Sequence, residues 1–150
     1  MYASILWATD GSPEADSALH EALELLEPGG RLIAFHCNQR FTGGRIGGEP
    51  VAFDETDRQR HIGEQVDELR RDGVAVKHLV DSTHNDPARE IPNIAAKLDV
   101  DAIVCGTRGP HGLDALLNGS VAARILRRAT VPVIVVPAKA TACHPDAAAV

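Results

Sequence analysis

Five short apolar runs alternate with longer segments of helical spacing along almost the whole chain. The runs are ASILWAT (3–9), RLIAFHC (31–37), VAVKHLV (74–80), DAIVCGT (101–107) and VPVIVV (131–136). Several are continuously apolar and rich in β-branched residues, which is typical of strands buried on both faces. The alternation therefore predicts an α/β fold around a mainly parallel sheet with right-handed crossovers. A chain of 150 residues is most simply one such domain.

The segments between the runs predict four helices, at about 13–26, 54–71, 87–98 and 120–129. In the first, Ser12 is the expected N-cap, Pro13 takes the first helical position and Glu27-Pro28-Gly29-Gly30 ends the helix. In the third, Pro92 is expected to remove a hydrogen bond and kink the helix. Two further segments fall outside the alternation. We expect a long Gly-rich loop at 38–53 and a loosely held tail at 138–150.

Charge and composition exclude several classes of partner. The net charge is −6 and aromatic residues make up 3% of the chain, which argues against nucleic-acid binding. The first apolar stretch stops at Asp10, too short for a signal peptide or a membrane span. The three cysteines form no CxxC pair, and the seven histidines show no HxxxH or HExxH spacing. We therefore expect a cytoplasmic protein without a membrane partner and without a metal site of its own.

A glycine-rich stretch follows the fourth apolar run, GTRGPHGLDALLNGS at 106–120. Gly106 and Gly109 lack a Cβ, so their backbone N–H groups can approach an anion closely. Gly119 and Ser120 open the last helix, whose free N–H groups and positive dipole end favour a phosphate. Glycines are also common in strand–helix loops, and Gly-Ser is a plausible helix start for structural reasons alone. Neither GxxxxGK[ST] nor an early GxGxxG is present, so a Walker or dinucleotide mechanism is excluded.

These residues resemble the universal stress protein family over about residues 2–137. Its nucleotide-binding members carry Gly, two residues, Gly, nine residues, then Gly and Ser or Thr, which here is Gly106, Gly109 and Gly119-Ser120. The segment Thr9-Asp10-Gly11-Ser12 looks like the opening of the family, where the Asp contacts nucleotide. His36-Cys37 matches the position that lines the adenine pocket, and 131–136 resembles the last strand, which often pairs across a dimer.

The resemblance implies a family domain at 1–137 with an open, Rossmann-like sheet of five parallel strands, ordered 3-2-1-4-5, and helices on both faces. ATP, with Mg²⁺, would lie across the ends of strands one and four. The dimer would be a homodimer through the last strand. The residues implied to bind nucleotide are Ala8, Thr9, Asp10, Cys37, Gly106, Thr107, Arg108, Gly109, Gly119, Ser120 and Val121.

Several of these residues admit a second interpretation. Asp10 is placed to meet a ribose hydroxyl or a nucleotide-bound Mg²⁺, but it could instead cap the first helical turn. Arg108 could reach a phosphate or simply be solvated. His36 could be a base or a packing residue. We find no serine or cysteine with a recognisable base and orienting group.

The sequence thus favours a regulatory ATP-binding module in the stress response, without a catalytic constellation. Three alternatives stay open: a sensor of AMP or cyclic AMP, a slow ATPase, and a dimeric scaffold that does not depend on nucleotide.

Overall fold

The computed structural model describes residues 1–37, 45–46, 49–50, 55–82, 85–107 and 121–137. Strands and helices alternate through these residues. In chain order they are β1 (Tyr2–Ala8), α1 (Pro13–Leu25), β2 (Leu26–Cys37), α2 (Glu55–Arg71), β3 (Ala75–Asp81), α3 (Pro87–Lys97), β4 (Ala102–Thr107), α4 (Val121–Arg128) and β5 (Val133–Pro137). The two-residue strands Arg45–Ile46 and Glu49–Pro50 pair antiparallel as a separate ladder.

All five strands of the main sheet run parallel, in the order β3-β2-β1-β4-β5. This confirms the order implied by the family resemblance. β1 is central: Ile5 is in register with Leu32 on one side and with Ala102 on the other. The strand order reverses between β1 and β4, and ligands of open α/β sheets bind at the carboxyl ends of the strands at such a point.

Helices cover both faces of the sheet, as expected, and each face has its own apolar core. The α1/α2 face buries Trp7, Leu32 and Ile62 among others. The α3/α4 face buries Leu6, Phe35, Ile91 and Ile125 among others. Neighbouring residues of a strand point to opposite faces, which is why continuously apolar runs are needed in this sheet.

The junction of α1 and β2 differs from the prediction. Glu27-Pro28-Gly29-Gly30 was expected to follow the helix as a stop, with the strand beginning at residue 31. Instead α1 ends at Leu25, β2 begins at Leu26, and the pairing jumps from Tyr2 with Leu26 to Ser4 with Arg31. The segment is therefore a bulge within β2, which Gly29 allows with a φ of +77°.

α3 runs from Pro87 to Lys97 with Pro92 inside it, so the proline does not end the helix, and the kink expected there stays a prediction. The side chain of Pro92 is buried in the helix face that carries Ala88, Ile91 and Ala95. Packing of this apolar face offsets the backbone hydrogen bond that proline removes.

The edge strand β3 is covered in part by α2. Arg70 donates from Nε and Nη2 to the carbonyl oxygen of Val76, at 3.4 and 3.3 Å. Lys77, on the same strand, is exposed. Across the described ranges of the chain, no helix has both the length and the apolar character needed to cross a membrane.

Candidate functional site

The loop between β1 and α1 is held by its own side chains. The amide of Gly11 donates to Thr9 Oγ1 at 3.1 Å, and that of Ser12 donates to Asp10 Oδ1 at 2.9 Å. Ser12 is the N-cap of α1, and its hydroxyl accepts the Ala15 amide at 3.3 Å, as predicted. Short Thr, Asp and Ser side chains favour such local turns. The loop thus has a fixed shape at the carboxyl end of the central strand.

Thr9 has both backbone polar groups engaged by the end of β2. Its amide donates to the Phe35 carbonyl at 3.0 Å, and its own carbonyl lies 2.9 Å from His36 Nδ1. Because a carbonyl only accepts, Nδ1 carries the proton and donates. His36 is 2% exposed. The geometry therefore favours the packing interpretation of His36 over that of a base.

Asp10 presents an exposed carboxylate at the same strand ends. Oδ1 accepts the amide of Ser12, which is itself the N-cap of α1, so Asp10 closes a turn in the loop before the helix and does not cap the first helical turn. Within the described part of the chain, Oδ2 has no hydrogen-bond partner. A carboxylate has two oxygens, so capping the turn leaves capacity for a ligand.

Ala8 and Cys37, which the family resemblance places beside an adenine ring, lie together in the core of the α3/α4 face with Cys105. Both Ala8 and Cys37 are 9% exposed. Burial, followed by the nearby carboxylates of Asp81, Glu90 and Asp86, raises the pKa of the Cys37 thiol to about 12. Burial alone raises the pKa of Cys105 to about 11. Both thiols therefore stay protonated at neutral pH and are poor nucleophiles.

Gly106, near the end of β4, is needed for a reason that the sequence did not reveal. A Cβ at this position would lie 2.6 Å from the carbonyl carbon of Glu14 and closer still to its oxygen. The glycine lets β4 pack directly against the backbone of the first turn of α1. The interpretation of Gly106 as a residue that admits an anion is therefore not required by its position. Thr107, the last residue of β4, is buried.

The remaining motif residues, Arg108, Gly109, Gly119 and Ser120, lie outside the described residues. Val121 begins α4 and is 39% exposed. An ion pair of 2.6 Å joins Arg124 Nη1, in the next turn of α4, to Asp86 Oδ2. Asp86 is also the N-cap of α3, since its Oδ1 accepts the Ala88 amide at 3.2 Å. Sequence reasoning missed this pair because no local pattern links residues so far apart.

α2 also contacts the β1–α1 loop, which the sequence did not predict. Gly11 has a φ of +77°, and a Cβ there would lie 3.1 Å from the Cβ of Arg58. Further along, Asp16 accepts from Gln65 Nε2 at 2.8 Å, and its Oδ2 lies 2.9 Å from His61 Nε2. These contacts fix the first turns of α1 against α2. Among the described residues, no group of three or more His, Cys, Asp or Glu side chains is arranged to hold a metal ion.

Comparison with known proteins decides the family. The profile described as Universal stress protein family matches residues 1–137. The chain belongs to the universal stress protein family.

Relatives of this universal stress protein occur in bacteria, archaea and plants. It is 29% identical to universal stress protein YxiE of Bacillus subtilis, with 91% of this chain and 99% of that one covered. A 50-residue segment is 50% identical to universal stress protein MJ0531 of Methanocaldococcus jannaschii, covering 33% of this chain and 29% of that protein. The structure of the Arabidopsis thaliana family protein At3g01520, with AMP bound, has a TM-score of 0.67, 17% identity and 97% coverage of both chains. At that identity, the likeness shows the shared fold alone.

One edge of the sheet in this universal stress protein is formed by β5. This strand pairs with β4 from Val133, in register with Ile103, to Pro137, in register with Thr107. Val133, Ile134 and Val135 are only half-buried. Half-buried apolar side chains on an edge strand are compatible with further strand pairing.

Proposed function

We propose that this universal stress protein is a regulatory module that binds an adenine nucleotide, ATP with Mg²⁺, at the carboxyl ends of β1 and β4. The observation that carries the proposal is the register of Ala8 with Cys105 at the reversal of strand order. The Thr9–Ser12 loop begins directly after Ala8. The Gly-2x-Gly-9x-Gly-Ser motif begins at Gly106, directly after Cys105. Two nucleotide-type segments thus start from adjacent strands.

The proposed contacts follow the chemistry of each segment. Asp10 Oδ2 would accept a ribose hydroxyl or hold the Mg²⁺ that the nucleotide carries. Ala8, Thr9 and Cys37 would lie beside the ring, with the Thr9 amide already used by Phe35. The phosphates would meet Thr107, Arg108, Gly109, Gly119, Ser120 and Val121 at the start of α4.

The balance of energies favours a sensor. Three or four charge-assisted hydrogen bonds contribute roughly 1.5–3 kcal/mol each, against an association cost of about 4–15 kcal/mol. With some buried adenine surface, the result is micromolar affinity, about −8 kcal/mol. Such affinity suits a reporter of an abundant metabolite in the cytoplasm.

Two further observations favour binding over catalysis. The pKa values of Cys37 and Cys105 are raised to about 12 and about 11, so neither thiol is ready to attack. His36 uses Nδ1 on the Thr9 carbonyl. We therefore propose that any ATP hydrolysis is slow and incidental, and that the output is delivered by a homodimer joined through β5.

The test is a calorimetric titration with ATP and Mg²⁺ of the wild-type chain, Gly119→Val and a matched glycine control, Gly63→Ala. Gly63 lies in α2 with no atom within 4 Å of an added Cβ, so its substitution leaves the site unchanged. We expect micromolar binding to the wild type and the control, and at least a tenfold loss in Gly119→Val, about 1.4 kcal/mol.

Competition by AMP and cyclic AMP in the same assay identifies the preferred ligand. The AMP seen in the Arabidopsis relative makes AMP the first competitor to try. Absence of binding by all adenine nucleotides would overturn the proposal and leave the dimer surface as the place of function. Sedimentation velocity tests the dimer independently.

A further inference from the structure

The side chain of His36, near the end of β2, forms a hydrogen bond with the loop that carries Asp10. Its Nδ1 donates to the Thr9 carbonyl over 2.9 Å, in a buried position. The amide of the same residue, Thr9, is held by Phe35 at 3.0 Å. Two consecutive residues of β2 therefore hold both polar backbone groups of the residue before Asp10.

The orientation of the Asp10 carboxylate follows from this anchor. Asp10 Oδ1 is fixed by the Ser12 amide at 2.9 Å, and the Gly11 amide is fixed by the Thr9 hydroxyl at 3.1 Å. A Cβ added to Gly11 would lie 3.1 Å from the Cβ of Arg58 and 3.3 Å from its backbone, so the glycine allows the loop to lie close to α2. The direction of Oδ2 thus depends on where the Thr9 peptide is held, and the side-chain part of that anchor is His36.

We propose that His36 is a positioning residue, which aims Asp10 at a ribose hydroxyl and so sets the preference of the site for ribonucleotides. The inference rests on the proposed function. In this role, His36 would not itself contact the nucleotide. It acts through the Thr9 carbonyl, and its effect should be confined to the part of the affinity that comes from the sugar.

The choice of residue type makes the proposal testable. Asparagine places an amide N–H close to the position of Nδ1, so His36→Asn keeps a donor for the Thr9 carbonyl. His36→Leu keeps bulk and removes the donor. His36→Gln moves the donor one bond further out. His78→Leu is the matched control, because His78 lies on the neighbouring strand β3 and its buried Nε2 has no hydrogen-bond partner among the residues that the structure describes.

The experiment measures Kd by calorimetry for ATP, 2′-deoxy-ATP and 3′-deoxy-ATP, with a thermal melt of each variant. The ribose preference is the ratio of Kd for the weaker deoxy analogue to Kd for ATP. We expect it to be about tenfold in the wild type, since the lost hydrogen bond involves a charged carboxylate. We expect His36→Leu and His36→Gln to reduce it to about one, with the affinity for the weaker analogue unchanged within about twofold.

The remaining variants complete the test. His36→Asn and His78→Leu should keep the preference, and Asp10→Ala should abolish it, with no further loss in the double variant with His36→Leu. Equal losses of ATP and deoxy-ATP affinity in His36→Gln, or an unchanged ratio, would overturn the proposal. A wild type that binds ATP without ribose preference would overturn it too, while leaving the proposed function intact. A wild type that binds no nucleotide would overturn both. If His36→Leu does not fold, His36→Gln and Asp10→Ala carry the same comparison.

Discussion

α1 and α4 both begin at the carboxyl edge of the sheet, but their first turns are electrostatically different. α1 has Ser12 as its N-cap, and Glu14 and Asp16 lie in its first turn. α4 has no acidic residue in its first turn, and Arg127 and Arg128 lie in its last turn. Acidic side chains offset the positive end of a helix dipole, whereas basic ones complement its negative end. The first turn of α1 therefore carries negative charge of its own, whereas the first turn of α4 carries none.

The two helices are also anchored in different ways. α1 is held by backbone-level contacts: Gly106 lies against the Glu14 peptide, and Trp7 Nε1 donates to the Ala15 carbonyl at 2.9 Å. α4 is held by a short apolar face, Ala122, Ala123 and Ile125, and by the pair of Arg124 with Asp86. α1 is therefore seated by contacts that involve its backbone, and α4 by contacts of its side chains.

The largest effect is expected for Gly106→Ala, which tests whether the backbone of α1 is seated directly on β4. The added Cβ meets the Glu14 backbone, which cannot rotate away as a side chain could. We expect a loss of about 3 kcal/mol in the free energy of unfolding, measured by urea denaturation. Gly63→Ala, in open space within α2, should instead stabilise the protein by about 0.5–1 kcal/mol. A neutral Gly106→Ala would show that α1 is not seated on β4 as described.

The next effect is expected for Trp7→Phe, which removes the indole donor to the first turn of α1. The buried Ala15 carbonyl loses this partner, so we expect destabilisation by about 2 kcal/mol. The urea midpoint should fall without a change in slope. Tyr2→Phe, a hydroxyl removal at the start of the same strand, serves as the control and should change stability by less than about 0.5 kcal/mol. Equal effects in both variants would contradict the anchoring role of the indole.

The free energy of unfolding should depend on pH through the core of the α3/α4 face, where both described thiols lie. Burial raises the folded pKa of Cys37 and Cys105 above the ordinary thiol value of 9.0. Below about pH 9 both states are protonated and nothing is lost. As pH rises above 9, the thiols of the unfolded chain ionise first, so the free energy of unfolding falls. The fall continues until the pH reaches the folded pKa values of about 12 for Cys37 and about 11 for Cys105.

The loss from each thiol should be about 1 kcal/mol between pH 9 and 10. Urea unfolding at these two pH values measures it. Because lysine and tyrosine also titrate there, the measured quantity is the difference from the double variant Cys37→Ala/Cys105→Ala. An identical pH slope in the wild type and the double variant would show that the thiols are not buried.

The smallest effect is expected for the α4 anchor. Asp86→Asn keeps an N-cap for α3 but removes the charge that faces Arg124, so it isolates the ion pair from the cap. Both side chains are partly exposed, 39% for Arg124 and 38% for Asp86. We therefore expect a coupling of about 0.5–1 kcal/mol in a double-mutant cycle with Arg124→Gln. Asp86→Ala should cost about 1 kcal/mol more than Asp86→Asn, through the lost cap. A coupling energy near zero would show that the ion pair does not stabilise the packing of α4, which would then depend on its apolar face alone.

Local sequence patterns were enough to predict the strands and helices. Short apolar runs located all five strands of the main sheet, and Ser12 and Pro13 located the start of α1. The early start of β2 was missed because Gly29 and Gly30 look like a helix stop until Tyr2 pairs with Leu26 across the sheet.

The contacts that build the site were harder to predict because they join distant residues. The need for glycine at 106 depends on how closely α1 approaches, and the pairs His36–Thr9 and Arg124–Asp86 have no signature in sequence spacing. The strand order came from the family resemblance and is confirmed, whereas the phosphate contacts at 108–120 stay a prediction.

The contact of Arg70 with β3 bears on how the protein can assemble. One sheet edge has the Val76 carbonyl occupied and Lys77 exposed beside it, while the other edge, β5, offers half-buried valine and isoleucine. Charged side chains and occupied carbonyls discourage strand addition. Two copies joined through β5 would present only their blocked edges outward. Assembly by strand addition would then stop at two copies. The difference between the two sheet edges would also protect the free chain from continuous cross-β polymerisation.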